Sequence, residues 1–91
     1  MKNKTGNRAL SVVVASTDKV LWTGIARSVS SVNSDGTFDI LPKHANFITL
    51  INNKPIKIIT TDSKNVLFEF RQAIIFVAAD KVKIYAEEQL G

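Results

Sequence analysis

The sequence of 91 residues contains no cysteine, one histidine, one tryptophan, one tyrosine and two prolines. The absence of cysteine excludes a disulfide scaffold, a thiol nucleophile and a zinc site built on thiolates. A single histidine excludes a pair or a cage of imidazole metal ligands. The glycines are too scattered for a phosphate-binding loop; they are Gly6, Gly24, Gly36 and Gly91.

No apolar run approaches the length of a membrane span, and the N terminus lacks the pattern of a signal peptide. Hydrophobic residues make up 45% of the chain and charged residues 22%, which is typical of a folded domain rather than a disordered chain. A chain of this length makes one small domain with a modest core. We therefore expect one domain in the cytoplasm.

The formal net charge of +4 is unevenly distributed. Lys2, Lys4 and Arg8 have no acidic residue beside them, and the rest of the chain carries nine basic and eight acidic residues. Residues 1–8 are polar and are predicted to form a flexible N-terminal arm. The folded part is nearly neutral. Because the excess positive charge comes mostly from the arm, it is only weak evidence for a nucleic-acid groove. A small nucleic-acid-binding barrel stays an alternative, and deleting residues 1–8 would test it.

Short β-branched runs alternate with turn signals, and no run shows a sustained helical period. This pattern predicts an all-β, antiparallel sandwich over residues 9–86, followed by a C-terminal tail at 87–91. Gly24 predicts a bulge or a bend, and the apolar spacing slips again between Val29 and Val32. The predicted strands cover residues 10–16, 20–23, 25–33, 38–41, 47–51, 56–61, 66–70, 73–78 and 82–86.

The aromatic residues are assigned mainly to the core. We predict that Phe68, Phe70 and Phe76 are buried, that residues 73–78 form a central strand apolar on both faces, and that Trp22 is in the core. Tyr85 is expected to face outward together with Lys81 and Lys83. That patch could contact nucleic acid, although a solvated sheet face is the favoured interpretation.

The residues for catalysis exist only as separate parts. Serines, Asp39 and His44 could be assembled into a triad, but nothing places a serine on a nucleophile elbow. The chain is therefore not expected to be an enzyme or to bind a cofactor or metal. His44 follows Pro42 at a predicted exposed bend. It is either a surface or half-buried imidazole that hydrogen-bonds the neighbouring bend, or an interface residue, and the two roles are compatible.

Residues 37–47, Thr-Phe-Asp-Ile-Leu-Pro-Lys-His-Ala-Asn-Phe, resemble the Phe-Gly-Ile-Leu-Pro-Gly-His-Ala-Pro signature of the epsilon subunit of F-type ATP synthase. The resemblance extends over residues 10–86 and implies that family's N-terminal β-sandwich. Its other parts are Leu21-Trp22-Thr23-Gly24, Asp35-Gly36-Thr37-Phe38, Thr49-Leu50 and Val82-Lys83-Ile84-Tyr85-Ala86.

The chain departs from the family pattern at several positions. Asp39, Lys43 and Asn46 stand where the family usually has Gly, Gly and Pro, and Arg71-Gln72 stand where it has a Gly pair. Glycine permits tight backbone geometry, so the bend is expected to be built differently or to be looser. The family's C-terminal helical hairpin has no counterpart here, so neither its inhibition nor its ATP binding is expected.

The resemblance implies a non-catalytic rotor subunit of a proton-translocating synthase. Such a subunit packs on the gamma shaft and on the polar loops of the c-ring, and meets the membrane only through the complex. The implied interface consists of Asp35, Gly36 and Thr37 in one loop and Pro42, Lys43, His44 and Ala45 in the bend. An alternative is a free-standing interaction module derived from the same family, without a rotor role.

Overall fold

The computed structural model describes residues 9–87, and its elements are all strands. The predicted all-β class is confirmed. The predicted arm at residues 1–8 and the last four residues of the predicted tail lie outside the described residues. The strands are β1 (Leu10–Ala15), β2 (Val20–Asn33), β3 (Gly36–Ile40), β4 (Phe47–Asn52), β5 (Pro55–Thr60), β6 (Asn65–Glu69), β7 (Gln72–Ala78) and β8 (Lys81–Ala86).

The strands form one curled sheet in the order β4-β7-β8-β1-β2-β5-β6, with β3 paired to β2. The 14-residue strand β2 pairs with β1 along its first half and with β3 and β5 along its second. The first layer therefore contains β4, β7, β8, β1 and the start of β2, and the second contains the end of β2 with β3, β5 and β6. Within residues 9–87 every pairing is antiparallel except that of β1 with β8, which is parallel and differs from the purely antiparallel prediction.

The core lies between the two layers, because alternate residues of each strand point inward. Burying each large aliphatic side chain contributes roughly 1.5–3 kcal/mol. Ser31 is buried too, and its hydroxyl donates to the carbonyl of Pro55 at 2.9 Å, so its polar atom is satisfied. The largest fully buried side chains are Phe70, Leu10, Ile40, Ile51, Ile56, Ile58, Ile75, Ile84, Val12, Val14, Val29 and Val82.

The irregularities in β2 are not where the sequence predicts them. Gly24 pairs in register with Val12, and Val29 to Val32 pair in register with β3. The register shifts instead at the start of β2, where Trp22 pairs with Val14 and Val20 with Ala15, and again between Ala26 and Ser28. A bulge there bends the strand where it leaves the first layer for the second. Gly24 has another role, because a Cβ atom on it would lie 2.6 Å from Cη2 of Trp22. The missing side chain lets the indole lie across the strand, half-buried against the core.

Residues 73–78 lie in the central strand β7 and are apolar on both faces, as predicted, but only one of these faces is buried. Ala73, Ile75 and Val77 face the core, whereas Ile74 and Phe76 are 38% and 39% exposed. In a two-layer protein only one face of each strand meets the other layer, so apolar residues on the second face stay open. The prediction that Phe76 is buried is therefore wrong.

The other two phenylalanines predicted to be buried do belong to the interior. Phe70 is buried, and Phe68 is half-buried against the core. Their rings stack with centroids 5.5 Å apart.

Candidate functional site

Five large side chains make a continuous apolar surface on the outside of the first layer, which we call the apolar outer face. They are between 38% and 60% exposed. Pairing across the strands places them side by side, and the rings of β7 and β8 meet edge to face at 5.6 Å. Contiguous exposed apolar surface of this kind marks an interaction site. Its members are Ile48 and Leu50 on β4, Ile74 and Phe76 on β7, and Tyr85 on β8.

Polar groups border the apolar outer face. At one end the amide of Gln72 donates to the side-chain oxygen of Asn52 at 3.0 Å. Beside this pair a shallow hollow of about 300 Å³ lies between Leu50, Ile74 and Tyr85. Lys81 and Lys83 are exposed on β8 with Tyr85, as predicted. The tyrosine therefore lies between the apolar side chains of β7 and the lysines of its own strand.

The bend between β3 and β4 is an ordered turn. The amide of His44 donates to the carbonyl of Leu41 at 3.1 Å, and Lys43, at the third position of that turn, has a φ of 69°. Proline at the second position and a left-handed residue at the third are typical of a type II turn. The bend therefore keeps the backbone that glycine favours although lysine occupies the position, and it is not loose.

The imidazole of His44 is half-buried within this bend. Its Nδ1 lies 2.7 Å from the carbonyl oxygen of Ala45, and its ring centroid is 5.0 Å from that of Phe47. Phe47 in turn meets Phe38 edge to face at 5.8 Å. The prediction that the imidazole hydrogen-bonds the neighbouring bend is confirmed, and an aromatic chain connects the bend to the core. Lys43 and Ala45 are the more exposed residues of the bend.

The other predicted surface, at Asp35, Gly36 and Thr37, lies at the opposite end of β3. Five strand residues separate the two surfaces by about 17 Å. The amide of Asp35 donates to Asn33 Oδ1, and the Asn33 amide donates to Thr49 Oγ1, both at 2.9 Å. Gly36 has a φ of 120°, and no heavy atom lies within 4 Å of the Cβ it lacks. The loop is thus exposed and polar, and the structure does not bring it together with the bend.

The parts of the hypothetical triad do not meet. The hydroxyl of Ser30 donates to the carboxylate of Asp39 at 2.5 Å, whereas the imidazole of His44 contacts Ala45 and Phe47. Residues 9–87 contain no cluster of three or more acidic or histidine side chains that could hold a metal ion. In the same range, no helix has the length and hydropathy needed to cross a membrane.

Sequence reasoning missed the apolar outer face. The signal was present, because residues 73–78 are apolar at every position and a strand of a two-layer sandwich buries only one face. The surplus apolar residues of that strand must then face a partner or solvent. The described residues thus form a two-layer β-sandwich with an apolar outer sheet face and ordered end loops, and exposed apolar surface of this kind is typical of domains that bind other proteins.

Residues 9–90 match the β-sandwich domain of the delta/epsilon chain of ATP synthase. The chain therefore belongs to this family, which confirms the resemblance drawn from the sequence. Its relatives are named as the epsilon chain of ATP synthase.

Two curated relatives illustrate the match. The chain is 30% identical to the ATP synthase epsilon chain of Brevibacillus brevis over 78 residues, which cover 86% of this chain and 59% of the relative. It is 29% identical to the epsilon chain of Micrococcus luteus over 77 residues, which cover 85% of each protein. The chain thus spans about three fifths of the length of the first relative and most of the second.

Solved structures share the fold at low sequence identity. A chain of the mitochondrial ATP synthase of Euglena gracilis, in an assembly that includes the c-ring, superposes with a TM-score of 0.82 at 11% identity over 90% of this chain and 52% of that one. A chain from the central stalk and c-ring of the Tetrahymena thermophila mitochondrial enzyme gives 0.73 at 18% identity, over 91% and 66%.

Proposed function

We propose that this chain is a non-catalytic central-stalk subunit of a proton-translocating F-type ATP synthase, which couples the membrane c-ring to the gamma shaft. Family membership supports this role, and the structural neighbours come from assemblies that contain a central stalk or a c-ring. In this role the sandwich of residues 9–86 is a stiff element between two partners. It joins the membrane through the complex, on the cytoplasmic side.

The apolar outer face is the observation that carries this function. Ile48, Leu50, Ile74, Phe76 and Tyr85 lie open on a strand-built surface that does not deform easily. Covering apolar area contributes roughly 25 cal/mol per Å², so a protein surface docked there gains stability from these side chains. Torque passes through packed contacts, for which a rigid sheet and complementary side chains are sufficient. We assign this face to the gamma shaft.

The two predicted loops are assigned to different partners. The bend at Pro42, Lys43, His44 and Ala45 leads directly into β4, which carries part of the apolar outer face. It therefore extends the shaft-facing surface. The loop at Asp35, Gly36 and Thr37 lies at the far end of β3 and is polar and exposed. Polar surface is suited to polar partners, and we assign this loop to the polar loops of the c-ring.

Co-expression with the gamma subunit of the same organism tests this function. We expect the two chains to co-purify and the pair to be retained by detergent-solubilised c-ring, with gamma expressed alone as the reference for retention. A folded chain, shown by circular dichroism and a cooperative unfolding transition, that binds neither partner would contradict the rotor role. That result would favour the alternative, a free-standing interaction module of the same family.

A further inference from the structure

The bend contains a lysine in a backbone conformation that favours glycine. Lys43 has a φ of 69°, and a side chain at such a φ crowds its own backbone. Pro42 fixes only the preceding residue of the turn. An additional interaction is therefore needed to hold Lys43 in place.

That interaction comes from the hairpin turn between β7 and β8. The amide of Lys43 donates to Oδ1 of Asp80 at 2.6 Å. Hydrogen bonds to a charged acceptor are stronger than those between neutral groups. The backbone carbonyl of Asp80 also accepts the amide of Ser11 at 2.9 Å. Asp80 thus connects the bend, the start of β1 and the turn that contains it.

The turn that carries Asp80 is itself tightly defined. Ala78 pairs with Lys81, and the two residues between them, Ala79 and Asp80, have φ values of 52° and 62°. Two residues of positive φ between paired strands make the type I′ loop that matches the twist of a hairpin. The direction of the Asp80 carboxylate is therefore set by the sheet rather than by a mobile loop.

We propose that Asp80 is the positioning residue for the bend: its carboxylate holds the amide of Lys43 and keeps the bend in the shape in which it meets the shaft. The part concerning the shaft rests on the function proposed above. The part concerning the bend does not, because it can be measured on the free chain.

Asp80→Gly is the most informative variant, because glycine accepts the positive φ and removes only the carboxylate. We expect amide exchange at position 43, measured by NMR on the whole chain, to become about tenfold faster. Exchange at the buried residues Ile75 and Ile84 should stay unchanged, which separates the local effect from a loss of global stability. Exchange at position 43 within twofold of the parent would overturn the assignment.

Two variants serve as matched controls. Asp80→Asn retains a side-chain oxygen and should recover most of the protection at position 43. Ala79→Gly relaxes the neighbouring left-handed residue without touching the carboxylate and should have no effect there. If Ala79→Gly loses as much protection as Asp80→Gly, the flexibility of the turn and not the carboxylate controls the bend, and the proposal is wrong.

A double variant tests the reason for the contact. In a Lys43→Gly background, glycine accepts the positive φ of the turn without the hydrogen bond to Asp80. Adding Asp80→Gly should therefore change the exchange rate of the flanking His44 amide less in this background than in the parent. Equal effects in both backgrounds would show that Asp80 does not compensate for the lysine, and would contradict the inference.

Binding to the gamma subunit separates the role of Asp80 in the bend from the assignment of the bend to the shaft. We expect Asp80→Gly to weaken binding about tenfold while Ala79→Gly leaves it unchanged. Faster exchange with unchanged binding would overturn the assignment of the bend to the shaft and leave the positioning role of Asp80 intact. A parent chain that fails to bind gamma would overturn the proposed function, and the exchange data would still decide the role of Asp80.

Discussion

The outer faces of the two layers differ in chemistry although both belong to the same curled sheet. The first layer presents the apolar outer face, five large side chains side by side. The second presents mainly polar residues on its outside, among them Thr37, Asp39 and Lys57, and one strongly exposed leucine, Leu67. A single exposed apolar residue is ordinary on a protein surface, whereas a continuous group is not. The comparison supports our proposal that a partner covers the first layer while the second faces water.

The largest effect on the free energy of unfolding is expected from a comparison of the two faces of β7. Ile75 and Phe76 are neighbours on β7, the first buried and the second 39% exposed. Ile75→Ala should lower the free energy of unfolding by about 2–5 kcal/mol, because it leaves a cavity. Phe76→Ala should lower it by about 1 kcal/mol or less, since surface changes are usually small. Urea unfolding of the isolated chain measures both.

An equal loss in the two β7 variants would mean that Phe76 is already covered in the isolated chain. The apolar outer face would then not be a docking surface. Phe76→Leu serves as the reference for side-chain size, because it keeps an apolar group of similar reach on the same face.

A charge placed on each outer face tests the assignment of the shaft. Leu50 and Leu67 are 48% and 61% exposed, the first within the apolar outer face and the second on β6. Leu50→Asp should weaken binding to the gamma subunit by at least about 2 kcal/mol, roughly 30-fold, as the loss of an interface anchor does. Leu67→Asp should leave the affinity unchanged, and titration calorimetry measures both.

Both leucine variants should unfold with nearly the parent free energy, because neither side chain lies in the core. A Leu67→Asp variant that binds gamma as poorly as Leu50→Asp would show that the shaft contacts the second layer, or both layers. The difference between the outer faces would then have no functional meaning.

The strands were predictable because they depend on local signals. β-branched runs between turn residues located them, and the predicted ends differ from the structure by at most two residues. The exception is β2, which is one strand where two were predicted, at 20–23 and 25–33. The bend after Pro42 was predicted from the proline. The hydrogen bond of Lys43 to Asp80 was not predictable, because Asp80 is 37 residues away in sequence and its partner depends on how the strands pair. The apolar outer face was misread for the same reason: only the layer arrangement shows which face of β7 is covered.

A smaller effect concerns the inner side of the first layer. Gly24→Ala would place a Cβ atom 2.6 Å from Cη2 of Trp22. The half-buried indole must shift away from the core, and we expect a loss of about 1–2 kcal/mol in the free energy of unfolding, as in other overpacked sites. Tryptophan fluorescence should move to longer wavelength because the ring becomes more exposed to water.

The control for the indole contact is Gly24→Ala in a Trp22→Leu background. There the added methyl group has no ring to displace, and the further loss on adding it should be under about 0.5 kcal/mol. The same loss in both backgrounds would show that Gly24 is required for its backbone rather than for space above the strand.

The smallest effect lies at the edge of the second layer, in the loop between β5 and β6. The hydroxyl of Thr60 donates to the carboxylate of Asp62, and this hydrogen bond lowers the pKa of Asp62 below its ordinary value of 3.8.

A group whose pKa is lowered by folding stabilises the fold above its unfolded pKa, and loses that contribution as pH falls through the folded pKa. Asp62→Asn should therefore be slightly less stable than the parent at pH 7, and the difference should shrink below pH 4. Urea unfolding at pH 7 and pH 3 measures it, and a difference that grows on acidification would reverse the assigned sign. Lys64 also lowers the pKa of Asp62, and because the carboxylate is exposed, salt should weaken this effect of the lysine charge but not the hydrogen bond from Thr60. Repeating the unfolding measurements at both pH values in high salt therefore separates the two causes of the lowered pKa.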